Sequence, residues 1–263
     1  MGSATRESVS AAIAVLGAQP RVDLDTGEQL LAAALVVDGE ARLRAALADD
    51  SAEPADRISM VEAIFGAYTP AARAVLGSLA TSRWSSADDL VAGIEQLGIR
   101  AVASSAPQTV SVNDELFTLT TAVSSDHELE LALGSKLGSV QGKISLVGNL
   151  LEAKASKQTI AIMGALLAQP RGRRIAELIR YAAALVAEQG GFTIATVTVA
   201  TALTASQTER LEKALAVQRD GDIRINQIVD PGIIGGMRVQ VGGEVIDGTI
   251  ANRLTDLRLR LAS

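Results

Sequence analysis

Cysteine is absent from the sequence, and a single histidine occurs among its 263 residues. Disulfides, iron–sulfur clusters and thiolate zinc sites are therefore excluded, and a metal site built from imidazoles is not expected. Aromatic residues are scarce as well, with one tryptophan, two tyrosines and three phenylalanines. This scarcity argues against surfaces that stack bases or sugars. We predict neither a metal site nor a cofactor site.

Long apolar runs are also missing from the chain. Its main apolar stretches are residues 8–16, 159–168 and 192–203, and each is shorter than the ~18 residues that indicate a membrane-spanning helix. The N-terminal stretch has neither the cationic start nor the cleavage pattern of a signal peptide. We therefore expect membrane association only through partner proteins.

The chain has no excess of positive charge, since its formal net charge is −6. Residues 1–106 carry eight lysines and arginines against fourteen acidic residues, whereas residues 107–263 carry sixteen of each. Such a distribution does not attract a phosphate backbone, so nucleic acid is not predicted as a partner. A basic partner for the first segment stays open.

An internal repeat is the main organising feature of the first two thirds. An ungapped offset of 86 residues aligns residues 30–65 with residues 116–151, and the register continues unbroken across a turn. We interpret the match as a duplication. The identical pairs are Leu30/Leu116, Val37/Val123, Leu43/Leu129, Ala46/Ala132, Leu47/Leu133, Ile58/Ile144, Ser59/Ser145 and Val61/Val147.

Both copies are predicted to be helical, because apolar residues recur three and four positions apart, as at Leu30, Leu31 and Ala34. Proline, glycine and serine fall where turns are needed. Copy one (residues 1–106) should hold about six short helices. Copy two (residues 107–190) begins near residue 112 and lacks an obvious counterpart of the first helix.

A different module is predicted over residues 191–263. Residues 192–199 alternate, with Ala195, Val197 and Val199 on one face and threonines on the other. A capping box from Ser206 to Glu209 opens a helix, strands follow at 222–229, 237–241 and 244–247, and an amphipathic helix covers 249–262. The fold class is therefore α+β and mostly α, with N-terminal helical bundles, an internal duplication and a small C-terminal α/β module.

The candidate chemical motifs have plainer interpretations. Glycines in 232–236 could cradle a phosphate, but no Gly-Lys-Ser/Thr sequence accompanies them and a strand follows, so we interpret them as turn glycines. His127 lies between two acidic residues at a predicted helix start, where we expect a solvated side chain. With one histidine and no carboxylate cluster at metal-ligand spacing, no catalytic residue is predicted.

Two further features allow more than one interpretation. Arg171, Arg173 and Arg174 follow Pro170 at a helix start, where they could bind an anion, lie on the surface or contact a partner. Trp84 lies in a turn and could anchor the core or form a binding hot spot. We favour surface or partner contacts for the arginines and a core role for the tryptophan.

The C-terminal third resembles a known family. Its order of Asp230, an apolar pair, Gly235-Gly236, a strand and Val-Ile-Asp-Gly at 245–248, before a terminal helix, is similar to the C-terminal motif of the delta subunit of bacterial F-type ATP synthases. The mitochondrial counterpart is the oligomycin-sensitivity-conferring protein. The helical part is similar to the family's six-helix domain, and two helical copies are typical of the extended delta subunits of actinobacteria.

The resemblance implies a non-catalytic stator, or peripheral stalk, subunit. Such a subunit links the catalytic head of the synthase, through the N-terminal helix of an alpha subunit, to the b-type stalk subunits of the membrane sector, and so supports proton-driven ATP synthesis. It implies a peripheral location at the cytoplasmic face of the bacterial cell membrane. The role is compatible with a helical bundle that holds an amphipathic helix and needs no reactive side chain.

The resemblance also implies site residues. The family's groove for the alpha helix lies between the first and fifth helices, which here involves Ile13 and Leu16 with Val75, Leu76 and Leu79. We expect copy one to bind the alpha subunit, because only copy one has an opening helix. The alternative is that these residues fill the bundle core.

The C-terminal motif residues Asp230, Gly235, Gly236, Asp247 and Gly248 are interpreted as turn and cap positions that shape the module. Asp247 is the expected N-cap of the last helix. Two other functions remain to be weighed against the stator: a helical protein–protein adaptor unrelated to ATP synthase, and an enzyme with a carboxylate-based site.

Overall fold

A computed structural model describes residues 2–135, 138–151, 155–219, 221–242, 244–252 and 254. The chain divides into two compact units, Met1–Val186 and Ala187–Ser263. The first unit is helical and the second is built on a four-stranded sheet. The α+β fold class, mostly α, is thereby confirmed.

The first unit is a series of short helices joined by tight turns. They are α1 (Ser3–Gly17), α2 (Leu24–Gly39), α3 (Ala41–Ala48), α4 (Pro54–Phe65), α5 (Pro70–Thr81), α6 (Ala87–Ser104), α7 (Val112–Ser125), α8 (His127–Gly134), α9 (Val140–Leu150), α10 (Lys157–Ala168) and α11 (Ile175–Gln189), which crosses the unit boundary.

Local sequence fixes where many of these helices begin. Pro54 and Pro70 occupy first-turn positions, where a missing amide hydrogen costs nothing. Side-chain oxygens accept hydrogen bonds from otherwise unpaired amides at several helix starts. These cap residues are Asp23, Thr69, Ser86, Ser111, Asp126, Ser139 and Ser156.

The helix bounds repeat at the offset of 86 residues. Shifted by that offset, α3 coincides with α8 at both ends, and α4 differs from α9 by one residue at one end. The pairs α2/α7, α5/α10 and α6/α11 agree within about two residues, which is the ordinary uncertainty of helix ends. The repeat therefore extends well beyond the segment with visible sequence identity.

Copy two does have a counterpart of the first helix, contrary to the sequence analysis. The offset carries α1 to residues 89–103, which lie inside α6. Helix α6 packs against α10 as α1 packs against α5. Because it also packs against α2, α6 serves as the last helix of copy one and the first of copy two. Every residue from Leu90 to Val102 except Ala92 is buried, as expected of a helix with neighbours on all sides.

The second unit is a mixed sheet with one helix. Its elements are β1 (Phe192–Val199), α12 (Ala205–Arg219), β2 (Asp222–Val229), β3 (Met237–Val241) and β4 (Glu244–Asp247). The strand order is β2-β1-β3-β4, with β1 parallel to β2 and antiparallel to β3. The predicted alternation is confirmed, since Ala195, Val197 and Val199 are buried. Val241 pairs with Glu244, which confirms the two-residue turn between β3 and β4.

Two helix starts in the second unit differ from the prediction. The capping box is formed by Thr204 and Gln207, whose side chains each accept a hydrogen bond from the other's backbone amide, and Ser206 lies inside α12. The last helix starts at residue 250. Most of the segment predicted for it, from residue 255 onward, lies outside the described residues.

Candidate functional site

The five residues predicted to contact an alpha subunit come together where α1 packs against α5. Leu16, Val75, Leu76 and Leu79 are at most 3% exposed and belong to the core of copy one. Ile13 is partly buried against the same core. These side chains form an apolar floor beneath the surface of copy one. A partner helix would lie mainly on the residues that cover this floor.

Polar contacts hold α1 in place on the bundle. The Thr5 hydroxyl donates to Asp89 Oδ2 at 2.8 Å, and the Ser8 hydroxyl donates to the Arg83 carbonyl at 2.6 Å. Next to this anchor, the Trp84 indole donates to the Leu79 carbonyl at 2.9 Å and packs against Gly93. Trp84 is therefore a structural side chain at the end of α5, in agreement with its interpretation as a core anchor.

Small residues cover the outer face of α1 and α5. Ala14, Gly17 and Ala74 are exposed. A Cβ atom added at Gly17 or Gly77 would meet no other atom within 4 Å, so open space lies above both positions. Such a face lets the backbone of a third helix come close to the apolar floor.

The equivalent face of copy two is closed. Met163, at the position of Gly77, is 0% exposed, and Arg100, at the position of Ala14, is 6% exposed. Helix α2 packs against both α6 and α10, with Leu31 and Ala165 lining the same small gap. The positions that are open in copy one are therefore buried in copy two, where α2 packs against the two equivalent helices.

The C-terminal motif residues meet at the crossing of the β2–β3 loop and the start of the last helix. The Gly248 amide donates to Met237 O at 2.9 Å, and the Ile250 amide donates to Gly235 O at 3.0 Å. Gly236 has φ +82°, and a Cβ there would collide with Gly248 O and lie 2.9 Å from Thr249 Cα. Only glycine combines that backbone angle with so close an approach.

The two motif aspartates organise the turns on either side of this crossing. Asp230 Oδ1 accepts the Gly232 amide at 2.8 Å. Asp247 Oδ1 accepts both the amide and the hydroxyl of Thr249, at 3.0 and 2.6 Å, and these bonds hold the pKa of Asp247 below its ordinary value.

The N-cap of the last helix is therefore Thr249 and not Asp247, because the Thr249 hydroxyl accepts the Asn252 amide at 3.3 Å. Asp247 orients that hydroxyl from two residues upstream.

Sequence reasoning missed an ion pair between the shared helix α6 and the turn before α11. Arg173 Nη2 lies 2.8 Å from Glu95 Oε2, with side-chain exposures of 23% and 8%. The Arg173 guanidinium also lies over the Tyr181 ring, 4.6 Å from its centroid. Burial and the charge of Glu95 raise the pKa of the Tyr181 hydroxyl. Among the arginines of this turn, Arg173 is thus half of a largely buried pair within the chain.

His127 is 80% exposed at its side chain, as expected. Within the described ranges there is no group of three or more histidine, aspartate or glutamate side chains placed to hold a metal ion. Nor does any helix in that part of the chain have the length and apolar character needed to cross a membrane.

Comparison with known proteins gives a family match. Residues 99–261 match the family described as ATP synthase delta (OSCP) subunit. The match begins within α6 and covers copy two and the C-terminal unit. The start inside α6 agrees with that helix opening copy two.

Full-length relatives carry the same description. The ATP synthase subunit delta of Leifsonia xyli subsp. xyli is 49% identical over 263 residues, which is 100% of both chains. That of Acidothermus cellulolyticus is 36% identical over 276 aligned positions, again covering both chains completely. A chain of the Toxoplasma gondii mitochondrial ATP synthase hexamer aligns with 64% of this chain and 96% of its own, at 19% identity and a TM-score of 0.40, which supports no conclusion.

Proposed function

The chain belongs to the ATP synthase delta (OSCP) subunit family, and on that premise we propose that it is the stator subunit of its own F-type synthase. It is a non-catalytic subunit, and its work is to hold other subunits. In this role it joins the catalytic head to the b-type stalk subunits at the cytoplasmic face of the cell membrane. Family membership removes both the unrelated adaptor and the carboxylate-based enzyme from consideration.

The alpha subunit's N-terminal helix is proposed to bind on the outer face of α1 and α5. The observation that carries this proposal is the difference between the copies: Gly77 faces open space, whereas Met163 at the same position of copy two is buried. An amphipathic helix laid over Ala14, Gly17 and Ala74 would reach the apolar floor at Ile13 and Leu76.

The b-type subunits are proposed to bind the C-terminal unit. Its motif residues contribute rigidity, because Gly236 and Asp247 fix the loop crossing and the start of the last helix. When one chain binds two partners of the same complex, the second contact forms within an assembly that the first already holds together. The overall affinity can then exceed that of either contact alone by ~10² to 10⁴. Two moderate contacts are then sufficient for a subunit that works under load.

The alpha site can be tested without disturbing the core. Gly77→Trp places a large side chain in open space on the α1–α5 face, so the fold should persist while the partner helix is blocked. Isothermal titration calorimetry with a peptide of the N-terminal helix of the cognate alpha subunit should show a loss of affinity of at least ~tenfold, about 1.4 kcal/mol.

Gly148→Trp is the matched control, because Gly148 lies in α9 of copy two and also faces open space. This variant should bind the peptide as tightly as the parent chain. Equal binding by the Gly77→Trp and parent chains would show that the alpha subunit does not use this face.

A further inference from the structure

The sheet of the second unit has two edges of different kinds. At one edge lies β4, which has four residues and carries acidic side chains at both ends, Glu244 and Asp247. At the other edge lies β2, which has eight residues and contains neither proline nor lysine. Short, charged edge strands resist pairing with another chain, whereas a long edge strand offers a row of backbone groups for it. The β2 edge is therefore the one that needs protection.

Backbone groups of β2 point alternately toward β1 and away from the sheet. The Asp230 amide, directly after the strand, donates to the Val199 carbonyl of β1 at 2.8 Å. Because the direction alternates, even-numbered residues of β2 turn their amides toward β1, and odd-numbered residues turn theirs outward. Ile223, Ile225 and Gln227 thus form an outer row, and within the described residues no other strand pairs with β2 on that side.

A side chain from α12 occupies the middle of this outer row. Helix α12 packs on β2, and Glu212 Oε1 accepts a hydrogen bond from the Ile225 amide at 3.0 Å. A hydrogen bond to a carboxylate is about twice as strong as one between neutral groups. A strand of another chain would have to displace this carboxylate before it could pair with Ile225.

The sequence of β2 is compatible with pairing to a second copy of itself. In an antiparallel arrangement centred on Ile225, the two Ile225 residues lie opposite each other and exchange both of their backbone hydrogen bonds. The charged residues Asp222 and Arg224 then lie opposite uncharged ones, so no like charges oppose the pairing. This arrangement requires the Ile225 amide that Glu212 occupies.

We propose that Glu212 protects the β2 edge: by holding the Ile225 amide, its carboxylate prevents two copies of the chain from joining through their β2 strands. Such a dimer would be two-fold symmetric and would merge the two sheets into one. The proposal concerns the free chain and does not depend on which subunits the chain binds.

Sedimentation velocity of the full chain tests this contact with the variant Glu212→Ala. The substitution removes the acceptor and keeps a strong helix former in α12, so circular dichroism should show an unchanged fold. The dimer association constant of the variant should exceed that of the parent chain by at least ~tenfold, because each parent dimer would have to break two charge-assisted hydrogen bonds.

Glu209→Ala is the matched control, because it removes the same charge from the same helix. Glu209 is 65% exposed at its side chain and pairs with Lys213 at 2.7 Å. This variant should have the association constant of the parent chain. Glu212→Gln keeps an acceptor oxygen, and its association constant should stay closer to that of the parent than to that of Glu212→Ala.

Amide hydrogen exchange locates the contact. In the Glu212→Ala dimer the amides of Ile223, Ile225 and Gln227 should exchange at least ~tenfold more slowly than in the same variant diluted to monomer. A dimer that leaves these three amides unprotected would overturn the inference, because the copies would then join elsewhere.

The inference would also be overturned if Glu212→Ala stayed as monomeric as the parent chain. Equal dimerisation of Glu209→Ala, or dimerisation of Glu212→Gln as strong as that of Glu212→Ala, would count against it as well. Either result would mean that net negative charge, and not the hydrogen bond to Ile225, keeps the copies apart.

Discussion

The two helical copies have the same order of helices but expose different surfaces. In copy one the outer face of α1 and α5 is open at Gly77, and Trp84 packs against Gly93. In copy two Met163 at the position of Gly77 is buried, and an open groove lies between α8, α9, α10 and the start of α11. The two copies therefore leave different parts of one helical plan open.

The shared helix α6 explains why the first face differs. Because α6 ends one bundle and begins the other, the helices of copy one lie against copy two, and α2 covers α10. Among the described residues, α1 packs against α5 and α6, and the face at Gly17 and Gly77 is open. The comparison of the copies also predicts which contacts around α6 contribute most to the stability of the helical unit.

The largest effect is expected from removing Arg173, whose ion pair ties the turn before α11 to the shared helix α6. The Arg173→Ala variant leaves the Glu95 carboxylate, 8% exposed, without its partner. Loss of one member of a buried pair typically costs about 3 to 5 kcal/mol, and we expect the lower end because Arg173 is 23% exposed. Urea unfolding followed by the fluorescence of Trp84, the sole tryptophan, reports on the helical unit alone.

The double variant Glu95→Gln/Arg173→Ala supplies the control. Replacing the orphaned carboxylate by a neutral amide should recover part of the lost free energy of unfolding. Arg180→Ala, an exposed change on the same helix α11, should alter stability by less than about 0.5 kcal/mol. An Arg173→Ala chain as stable as the parent would mean that this ion pair makes no net contribution to stability.

Gly27 tests how closely the helices of copy one approach each other. A Cβ at Gly27 would lie 2.6 Å from the Val102 amide nitrogen, so Gly27→Ala must push α2 away from α6. We expect a loss of about 2 kcal/mol, because overpacking against backbone costs about 1 to 3 kcal/mol. The measurement is again urea unfolding monitored at Trp84.

Gly77→Ala is the matched control for this change. It lies in a helix of the same copy with open space around it, and should stabilise the helical unit by about 0.5 to 1 kcal/mol through helix propensity. If Gly27→Ala behaved like Gly77→Ala, the α2–α6 contact would be looser than described.

Much of this fold was predictable from local sequence. Pro54 and Pro70 mark helix starts because proline fits the first turn and little else in a helix. The strand at 192–199 was predicted correctly because its burial alternates with a period of two. The family motif placed Gly236 at a turn, and the positive φ shows the physical reason.

What was not predictable depends on contacts between distant residues. The capping box was misplaced because Thr204/Gln207 and Ser206/Glu209 both fit the pattern, and only the backbone decides between them. The double role of α6 was hidden because residues 3–17 and 89–103 face different neighbours and share few side chains.

The candidate sites were only partly predictable. The resemblance supplied Leu76 and Leu79, but their sequence does not distinguish a partner contact from a core position, and the structure places both in the core. Glu95 and Arg173 pair across 78 residues, and neither carries a local signal.

A stabilising effect is expected at Asn113, which occupies the position of Gly27 in copy two. Asn113 is 8% exposed, and within the described residues neither its Oδ1 nor its Nδ2 has a hydrogen-bond partner. Burying such an amide costs about 1 to 3 kcal/mol, so Asn113→Ala should raise the free energy of unfolding by about 1 kcal/mol after the loss of some packing. Exposed Asn149→Ala should change it by less than about 0.5 kcal/mol. A clear loss of stability in Asn113→Ala would show that this amide has a hydrogen-bond partner. The two copies would then differ at this position, where Gly27 allows close packing of helices and Asn113 forms hydrogen bonds.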